Sequence, residues 1–108
     1  MLPLYVTSGE PAGIGPDICL SLAMRIDERP IVVLADLNLL KKRAETLNQR
    51  IELIEYQGQD ASSGVGQLFI EHVPVQQEVV MGELNPNNAA YVLEQLRRSA
   101  DYAMSGKS

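Results

Sequence analysis

The chain has few of the residue types that mark several protein classes. Its 108 residues contain no tryptophan, one histidine and one cysteine, so no disulfide can form within the chain. The single cysteine, Cys19, lies between Ile18 and Leu20, and apolar surroundings raise the pKa of a thiol. We therefore expect Cys19 to be a core side chain rather than a nucleophile, in a protein of a reducing compartment.

Basic residues and long apolar runs are also scarce. Nine Lys and Arg residues stand against 14 Asp and Glu, a net charge of -5, which argues against a nucleic-acid partner because phosphates require a basic face. The two basic clusters, Lys41–Arg43 and Arg97–Arg98, fall on predicted helices and are interpreted as solvated faces. No apolar run approaches the roughly 20 residues that span a bilayer, and the start of the chain lacks a basic signal region. These features predict a cytoplasmic protein without a membrane segment.

The order of predicted elements is β-α-β-α-β-β-α, which indicates an α/β fold. The run Ile31–Ala35 is continuously apolar, as in strands of a parallel sheet that are covered on both faces. Pro74 suggests that the fourth strand lies near an edge. The predicted elements are a buried strand over 2–7, a helix from Pro16, the strand 31–35, a helix capped by Asp36, strands over 50–56 and 68–75, and a helix from Pro86 to about Met104.

The connections and the last helix complete this prediction. Residues 57–66 are expected to form a surface loop and 76–84 an extended connection. Gly106 is expected to end the last helix as its C′ residue. Because no strand follows that helix, residues 1–108 are interpreted as one partial domain. An apolar stripe at 3.6-residue spacing is predicted to face the core from Ala89, Leu93, Leu96, Ala100 and Ala103.

The turn Gly9–Pro16 is the strongest local motif. Its glycines allow a ligand to approach the backbone closely, and the helix that follows presents unpaired N–H groups to an anion. A tight connection without a ligand explains the same residues, and both readings stay open at this point. No G-x-G-x-x-G fingerprint can be read from these glycines, so we assign Asp36 as a helix N-cap rather than a ribose ligand.

Three other candidates are weaker. Gly106–Ser108 resembles the end of a P-loop, but Asp101 stands where the earlier glycine is required, so this motif is rejected. His72 is a lone histidine in a predicted strand and supplies no metal or catalytic centre by itself. Glu10, inside the glycine turn, is able either to contact a ligand or metal or to accept backbone N–H bonds that brace the loop.

The run Thr7–Asp17 strongly resembles the opening motif of the 4-hydroxythreonine-4-phosphate dehydrogenase family of vitamin B6 biosynthesis. The resemblance continues through Ala35-Asp36 and the helix after it, and resumes at Asn88–Val92. It covers nearly all of this chain but about a third of a family member. It implies the N-terminal part of a two-domain α/β/α fold, with a mainly parallel sheet, like that of isocitrate and isopropylmalate dehydrogenases.

The resemblance also implies a function. Family members are homodimeric oxidoreductases that use NAD and a divalent metal (Zn, Mg or Co) to oxidise 4-phosphohydroxythreonine, a small phosphorylated substrate whose keto acid product can lose CO₂. By analogy with their relatives, the glycine turn lies against the NAD. The implied cofactor-binding residues are Gly9, Glu10, Pro11, Gly13, Ile14 and Gly15.

The family's metal-binding histidines and phosphate-binding residues have no counterpart here. We therefore expect no catalytic or metal-binding residue in this chain, which should be inactive alone and should expose sheet edges and apolar helix faces, making it marginally stable or self-associating. A stand-alone flavodoxin-like module that binds an anion or nucleotide is the main alternative. A non-catalytic interaction domain is a third reading.

Overall fold

The computed structural model describes residues 2–9, 11–13, 15–24, 30–62, 64–75 and 88–106. Its element order confirms the predicted β-α-β-α-β-β-α. The elements are β1 (Leu4–Thr7), α1 (Gly15–Ser21) with a 3₁₀ turn at Leu22–Met24, β2 (Ile31–Ala35), α2 (Leu37–Thr46), β3 (Glu52–Glu55), β4 (Gln67–His72) and α3 (Ala89–Met104).

The four strands form one parallel sheet in the order β1-β2-β4-β3. Every residue of β2 is buried, as the continuous apolar run predicts. Helices cover both faces of the sheet. Successive side chains of β2 point to opposite faces and therefore pack against different helices. Val33 and Ala35 pack with α1 and α2, whereas Leu34 packs with Tyr91 of α3. The α/β/α arrangement is therefore confirmed.

The helix ends follow their local sequence signals. Asp36 precedes α2, and its Oδ1 accepts a hydrogen bond from the Leu39 amide at 3.1 Å, which confirms the predicted N-cap. Gly106 follows α3 with φ +76°, the left-handed conformation expected of a C′ glycine. The predicted helix start at Asn85 and Pro86 lies outside the described residues.

Cys19 lies on the buried face of α1 and is part of the core, as predicted. Its thiol is buried, and burial raises its pKa to about 11, so it stays protonated at neutral pH. Of the predicted loop 57–66, residues 57–60, 62, 64 and 65 are exposed, as expected, whereas Gly66 is half-buried and Ala61 packs against Val32 and Phe69. The predicted connection 76–84 lies outside the described residues.

Two predictions about strand burial are wrong. The first strand is not buried: in the described sheet β1 has β2 as its one neighbour, so its residues are only half-buried or exposed. The fourth strand is not at an edge, since β4 lies between β2 and β3. Pro74 does not mark an edge strand, because it comes after the last strand residue, His72. Its missing N–H there removes no hydrogen bond of the sheet.

The orientation of α3 is the largest departure from expectation. Leu93 and Leu96, predicted to face the core, are 65% and 52% exposed. The buried side chains of this helix are instead Tyr91 and Gln95. Their polar ends meet backbone groups at the end of the sheet that need hydrogen-bond partners, so the polar face of α3 turns inward.

The basic clusters differ in their surroundings. Lys41 and Lys42 are exposed, as predicted for a solvated face. Arg43 is half-buried and donates two hydrogen bonds to Asp17, at 2.6 and 2.9 Å. Arg97 is exposed and paired along α3, whereas Arg98 is half-buried, so the prediction of a solvated face is wrong for one arginine of each cluster. None of the helices in the described part of the chain is both long and apolar enough to cross a bilayer.

Candidate functional site

The candidate residues lie together at the end of the sheet where the parallel strands have their carboxyl ends. β1 leads into Ser8 and Gly9, β2 into Asp36, and β4 ends at His72. Open α/β sheets bind their ligands beyond the carboxyl ends of the strands. The predicted glycine turn therefore lies where a ligand site is expected for this architecture.

The turn is held by a glutamine from α3. The Gly9 amide donates to Oε1 of Gln95 at 2.9 Å, and Nε2 of Gln95 donates to Oγ of Ser8 at 2.9 Å. Both Gln95 and Ser8 are buried. The side chain of Gln95 thus fixes two consecutive residues at the start of the turn.

A tyrosine hydroxyl joins the turn to the neighbouring strand. The hydroxyl of Tyr91 accepts from the Asp36 amide at 2.9 Å and lies 3.2 Å from Oγ of Ser8. Burial raises the pKa of Tyr91, so the hydroxyl remains neutral and keeps its proton available as a donor. Ser8, Asp36, Tyr91 and Gln95 form a buried polar network, which we call the edge network.

Asp36 is committed to internal contacts. Its Oδ1 accepts from the Leu39 amide and its Oδ2 from the Val75 amide, at 3.1 and 2.9 Å. These bonds make it a helix cap and a brace for the segment after β4. The N-cap assignment is confirmed, and both carboxylate oxygens already serve the fold.

His72 has a structural role. Its Nδ1 accepts a hydrogen bond from the Leu37 amide at 3.0 Å, at the first turn of α2. In the part of the chain that the structure describes, no group of three or more His, Cys, Asp or Glu residues could hold a metal ion. The interpretation of His72 as an ordinary strand histidine agrees with these contacts.

The glycines of the turn have different structural requirements. Gly9 has φ +73°, and a Cβ added there would meet open space. A Cβ added at Gly15 would overlap the carbonyl oxygen of Ser8, so close packing within the chain already explains this glycine. Gly13 is half-buried and Pro11 is buried. The remaining predicted cofactor residues, Glu10 and Ile14, lie outside the described residues.

A second polar cluster lies beside the network. Nη1 of Arg98 donates to Glu71 and to the carbonyl of His72, both at 3.2 Å, and the Tyr102 hydroxyl donates to Glu71 at 2.6 Å. Burial and the neighbouring carboxylate raise the pKa of Tyr102 to about 12. The ring of Tyr102 lies 4.3 Å from that of Tyr5, which attaches α3 to β1.

Sequence reasoning missed Ser8, Tyr91 and Gln95 as a group. Their contacts join residues that are 83 to 87 positions apart, which no local pattern reports. The available signal was the polar residues at 91, 95, 98 and 102, which repeat at helical spacing. Asn88, at the start of the helix, is also buried, and neither polar atom of its side chain has a partner among the residues described.

Comparison with known proteins agrees with the resemblance read from the motifs. The chain is 42% identical over 106 residues to the 4-hydroxythreonine-4-phosphate dehydrogenase of Vibrio cholerae, covering 96% of this chain and 32% of the relative. It is 47% identical over 103 residues to that of Neisseria meningitidis serogroup B, covering 95% of this chain and 30% of the relative. The chain therefore spans about a third of the length of these relatives. No family model matches the chain.

Solved structures show the same fold. A 4-hydroxythreonine-4-phosphate dehydrogenase from Klebsiella pneumoniae superimposes with a TM-score of 0.87 at 25% identity, over 99% of this chain and 35% of its own. One from Burkholderia phymatum gives 0.85 at 17% identity, over 99% and 34%. These likenesses confirm the fold class and do not favour a stand-alone flavodoxin-like module.

Proposed function

Because the chain is homologous to about a third of the length of 4-hydroxythreonine-4-phosphate dehydrogenases, we propose that it forms the dinucleotide side of such an enzyme. In this proposal the complete enzyme is a cytoplasmic homodimer of vitamin B6 biosynthesis that oxidises 4-phosphohydroxythreonine with NAD and a divalent metal. The observation that carries the assignment is the position of the glycine turn at the carboxyl edge of a parallel sheet.

The turn is suited to a dinucleotide in two respects. Space is open beside Gly9, where a side chain would otherwise stand, and Gly13 and Gly15 are only half-buried. We propose that the NAD lies against Gly9, Glu10, Pro11, Gly13, Ile14 and Gly15. NAD, when bound, accepts the hydride that leaves the secondary alcohol.

The residues of this chain give the turn its shape. The Gly9 amide is already bound to Gln95, so a ligand meets a backbone whose conformation is fixed before binding. Preorganisation of this kind lowers the entropic cost of holding a cofactor. In the proposed enzyme, α3 therefore acts on the cofactor indirectly, by positioning Gly9 and Ser8.

The metal requires residues from elsewhere. The described residues contain no cluster of ligands that fits a divalent ion, so no chemical step through a metal is assigned to this chain. We propose that Zn, Mg or Co binds in the remaining two thirds of the enzyme, and that this chain alone does not oxidise substrate.

A fused protein tests the proposed function. The chain replaces the corresponding 30% of the Neisseria relative, and NADH formation is followed with 4-phosphohydroxythreonine, NAD and a divalent metal. We expect NADH from the fused protein and none from the 108-residue chain. A folded but inactive fusion, or an active isolated chain, would contradict the proposal.

A substitution in the fused protein tests the cofactor contact. Gly9→Asn fills the open space while tolerating a positive φ, so we expect the KM for NAD to rise by about tenfold or more, equivalent to ~1.4 kcal/mol. Gly58→Asn is the matched control, since Gly58 also has a positive φ with open space beside it but lies in the exposed loop. Equal KM values for NAD in the two variants would show that Gly9 does not contact the cofactor.

A further inference from the structure

Gln95 is a polar residue at a position of α3 where an apolar one would pack equally well. Its side chain is fully buried, beside that of Tyr91 on the inner face of the helix. Burying an amide costs free energy unless its polar atoms are hydrogen-bonded. A methionine has an unbranched side chain of similar length and would fill the same space without that cost. The glutamine is therefore explained by its partners, Gly9 and Ser8, and not by packing alone.

Gly9 is the point at which the backbone leaves the sheet. The Ser8 amide still donates to the carbonyl of Leu34 in β2, at 3.3 Å, whereas the next amide, that of Gly9, donates to Gln95. Gly9 has φ +73°, and glycine adopts positive and negative φ about equally readily. The side chain of Gln95 therefore selects one backbone conformation among those that glycine alone leaves open.

The far end of the glycine turn depends on the same contacts. A Cβ added at Gly15 would overlap the carbonyl oxygen of Ser8, so the start of α1 packs closely on that residue. The hydroxyl of Ser8 accepts from Nε2 of Gln95 at 2.9 Å. Ser8 thus contacts Gln95 through its side chain and Gly15 through its carbonyl, and a shift of Ser8 would move both ends of the turn.

We propose that Gln95 is a positioning residue that sets the affinity for the cofactor, through its acceptor bond to the Gly9 amide, without taking part in hydride transfer. Gln95 is fully buried, so it acts on a ligand through Gly9 and Ser8. The inference rests on the proposed function, because it requires NAD to lie against Gly9.

The size of the effect follows from the backbone freedom of one residue. A turn that is fixed before binding does not have to be ordered by the ligand. The conformational entropy of one residue's backbone corresponds to about a tenfold change in a binding constant. Loss of the acceptor should therefore weaken NAD binding by about tenfold, and it should leave the chemical step unchanged because no reacting atom is touched.

Two matched glutamine variants of the fused protein test this role. Gln95→Met removes both polar atoms and keeps the length of the side chain. Gln67→Met is the control, because Oε1 of Gln67 also accepts from a glycine amide, that of Gly64 at 3.0 Å, but at the opposite end of the sheet, where β4 begins. In Gln95→Met we expect the Kd for NAD, measured by titration calorimetry, and the KM for NAD to rise by about tenfold. The kcat and the KM for 4-phosphohydroxythreonine should stay unchanged, and Gln67→Met should match the parent in every value.

A conservative variant separates affinity from stability. Gln95→Glu keeps an oxygen that accepts from Gly9 in either protonation state, but a buried carboxyl is costly to the fold. We therefore expect Gln95→Glu to lower the melting temperature and to keep the Kd for NAD near that of the parent. Gln95→Met should lower the melting temperature and raise the Kd. If both variants weaken NAD binding in proportion to their loss of stability, Gln95 is only a structural residue and the proposal is overturned.

Hydrogen exchange tests the step from the side chain to the backbone. The Gly9 amide of the fused protein should exchange slowly in the parent and in Gln95→Glu, and faster in Gln95→Met, since its acceptor is missing there. Slow exchange retained in Gln95→Met would show that Gly9 is held without Gln95, which would overturn the proposal. If Gln95→Met does not fold, Gln95→Asn takes its place, because its amide is one methylene too short to keep the bond, and the same results are expected.

The results distinguish this inference from the proposed function. If the fused parent binds NAD and Gln95→Met binds it equally tightly, the positioning role is wrong and the proposed function stands. If the fused parent does not bind NAD, the proposed function is wrong and this inference is wrong with it. An inactive fused protein that binds NAD still decides the role of Gln95, because the Kd does not depend on turnover.

Discussion

Removing one hydroxyl from the edge network should destabilise the chain measurably. In Tyr91→Phe the ring still fills its buried position, but the Asp36 amide loses its acceptor and Ser8 loses a partner. A buried donor left unsatisfied costs about 1–3 kcal/mol, and a lost neutral hydrogen bond adds about 1 kcal/mol. Gln95 continues to donate to Ser8, which limits the second contribution. We therefore expect a decrease of about 2 kcal/mol in the free energy of unfolding.

Tyr102→Phe is the matched control for this prediction. It removes the same group from the same helix, but Glu71 keeps its contact with Arg98 and the site is only half-buried, so water can replace the bond. A loss of about 1 kcal/mol or less is expected there.

Urea denaturation followed by circular dichroism measures both variants against the parent chain. A thermal melt should show the Tyr91 variant lower by roughly 8 °C, taking about 4 °C per kcal/mol for a domain of this size. A smaller loss of unfolding free energy in Tyr91→Phe than in Tyr102→Phe would refute this prediction, because the Tyr91 hydroxyl would then make no hydrogen bond that stabilises the fold.

Two further predictions concern the packing of the first helix. Gly15→Ala should prevent folding or give an aggregating protein, because the added Cβ overlaps the Ser8 carbonyl. Ser21→Ala, at the exposed end of α1, is the control and should leave the melting temperature nearly unchanged. A folded Gly15→Ala chain with the stability of the parent would contradict this prediction. The hydrogen bonds from Arg43 lower the pKa of Asp17, so their stabilising effect is complete above the unfolded-state pKa of about 3.9 and is lost as the pH falls through the lower folded-state value. Asp17→Asn should thus be less stable than the parent at pH 7 and equal to it in strong acid, and a difference independent of pH would exclude this ion pair as the cause.

The elements of the fold could be predicted from the sequence because their signals are local. The apolar run 31–35, the capping residue Asp36 and the C′ residue Gly106 each act on neighbouring residues, and the structure confirms all three. The burial of β1 could not be predicted, because exposure depends on which strands pair in space. Pro74 misled for a related reason: its effect depends on whether it falls inside the strand or two residues after it.

Local sequence patterns could not predict the orientation of α3 or the edge network. An apolar stripe is normally taken as the inward face, yet Leu93 and Leu96 point outward while Tyr91 and Gln95 satisfy Ser8, Gly9 and Asp36. Periodicity identifies two faces of a helix but does not say which one the rest of the protein uses. The glycine turn was placed correctly at the sheet edge, and its role in binding NAD stays a prediction.

The long span of the edge network affects the order in which the protein can be built. Ser8 and Gly9 leave the ribosome early, but their partners Tyr91 and Gln95 are made more than 80 residues later. Contacts of such high sequence separation form slowly, since a long loop must close first. During synthesis the end of β1 therefore lacks these hydrogen bonds until α3 has been made, and a chain that stops before α3 cannot form them.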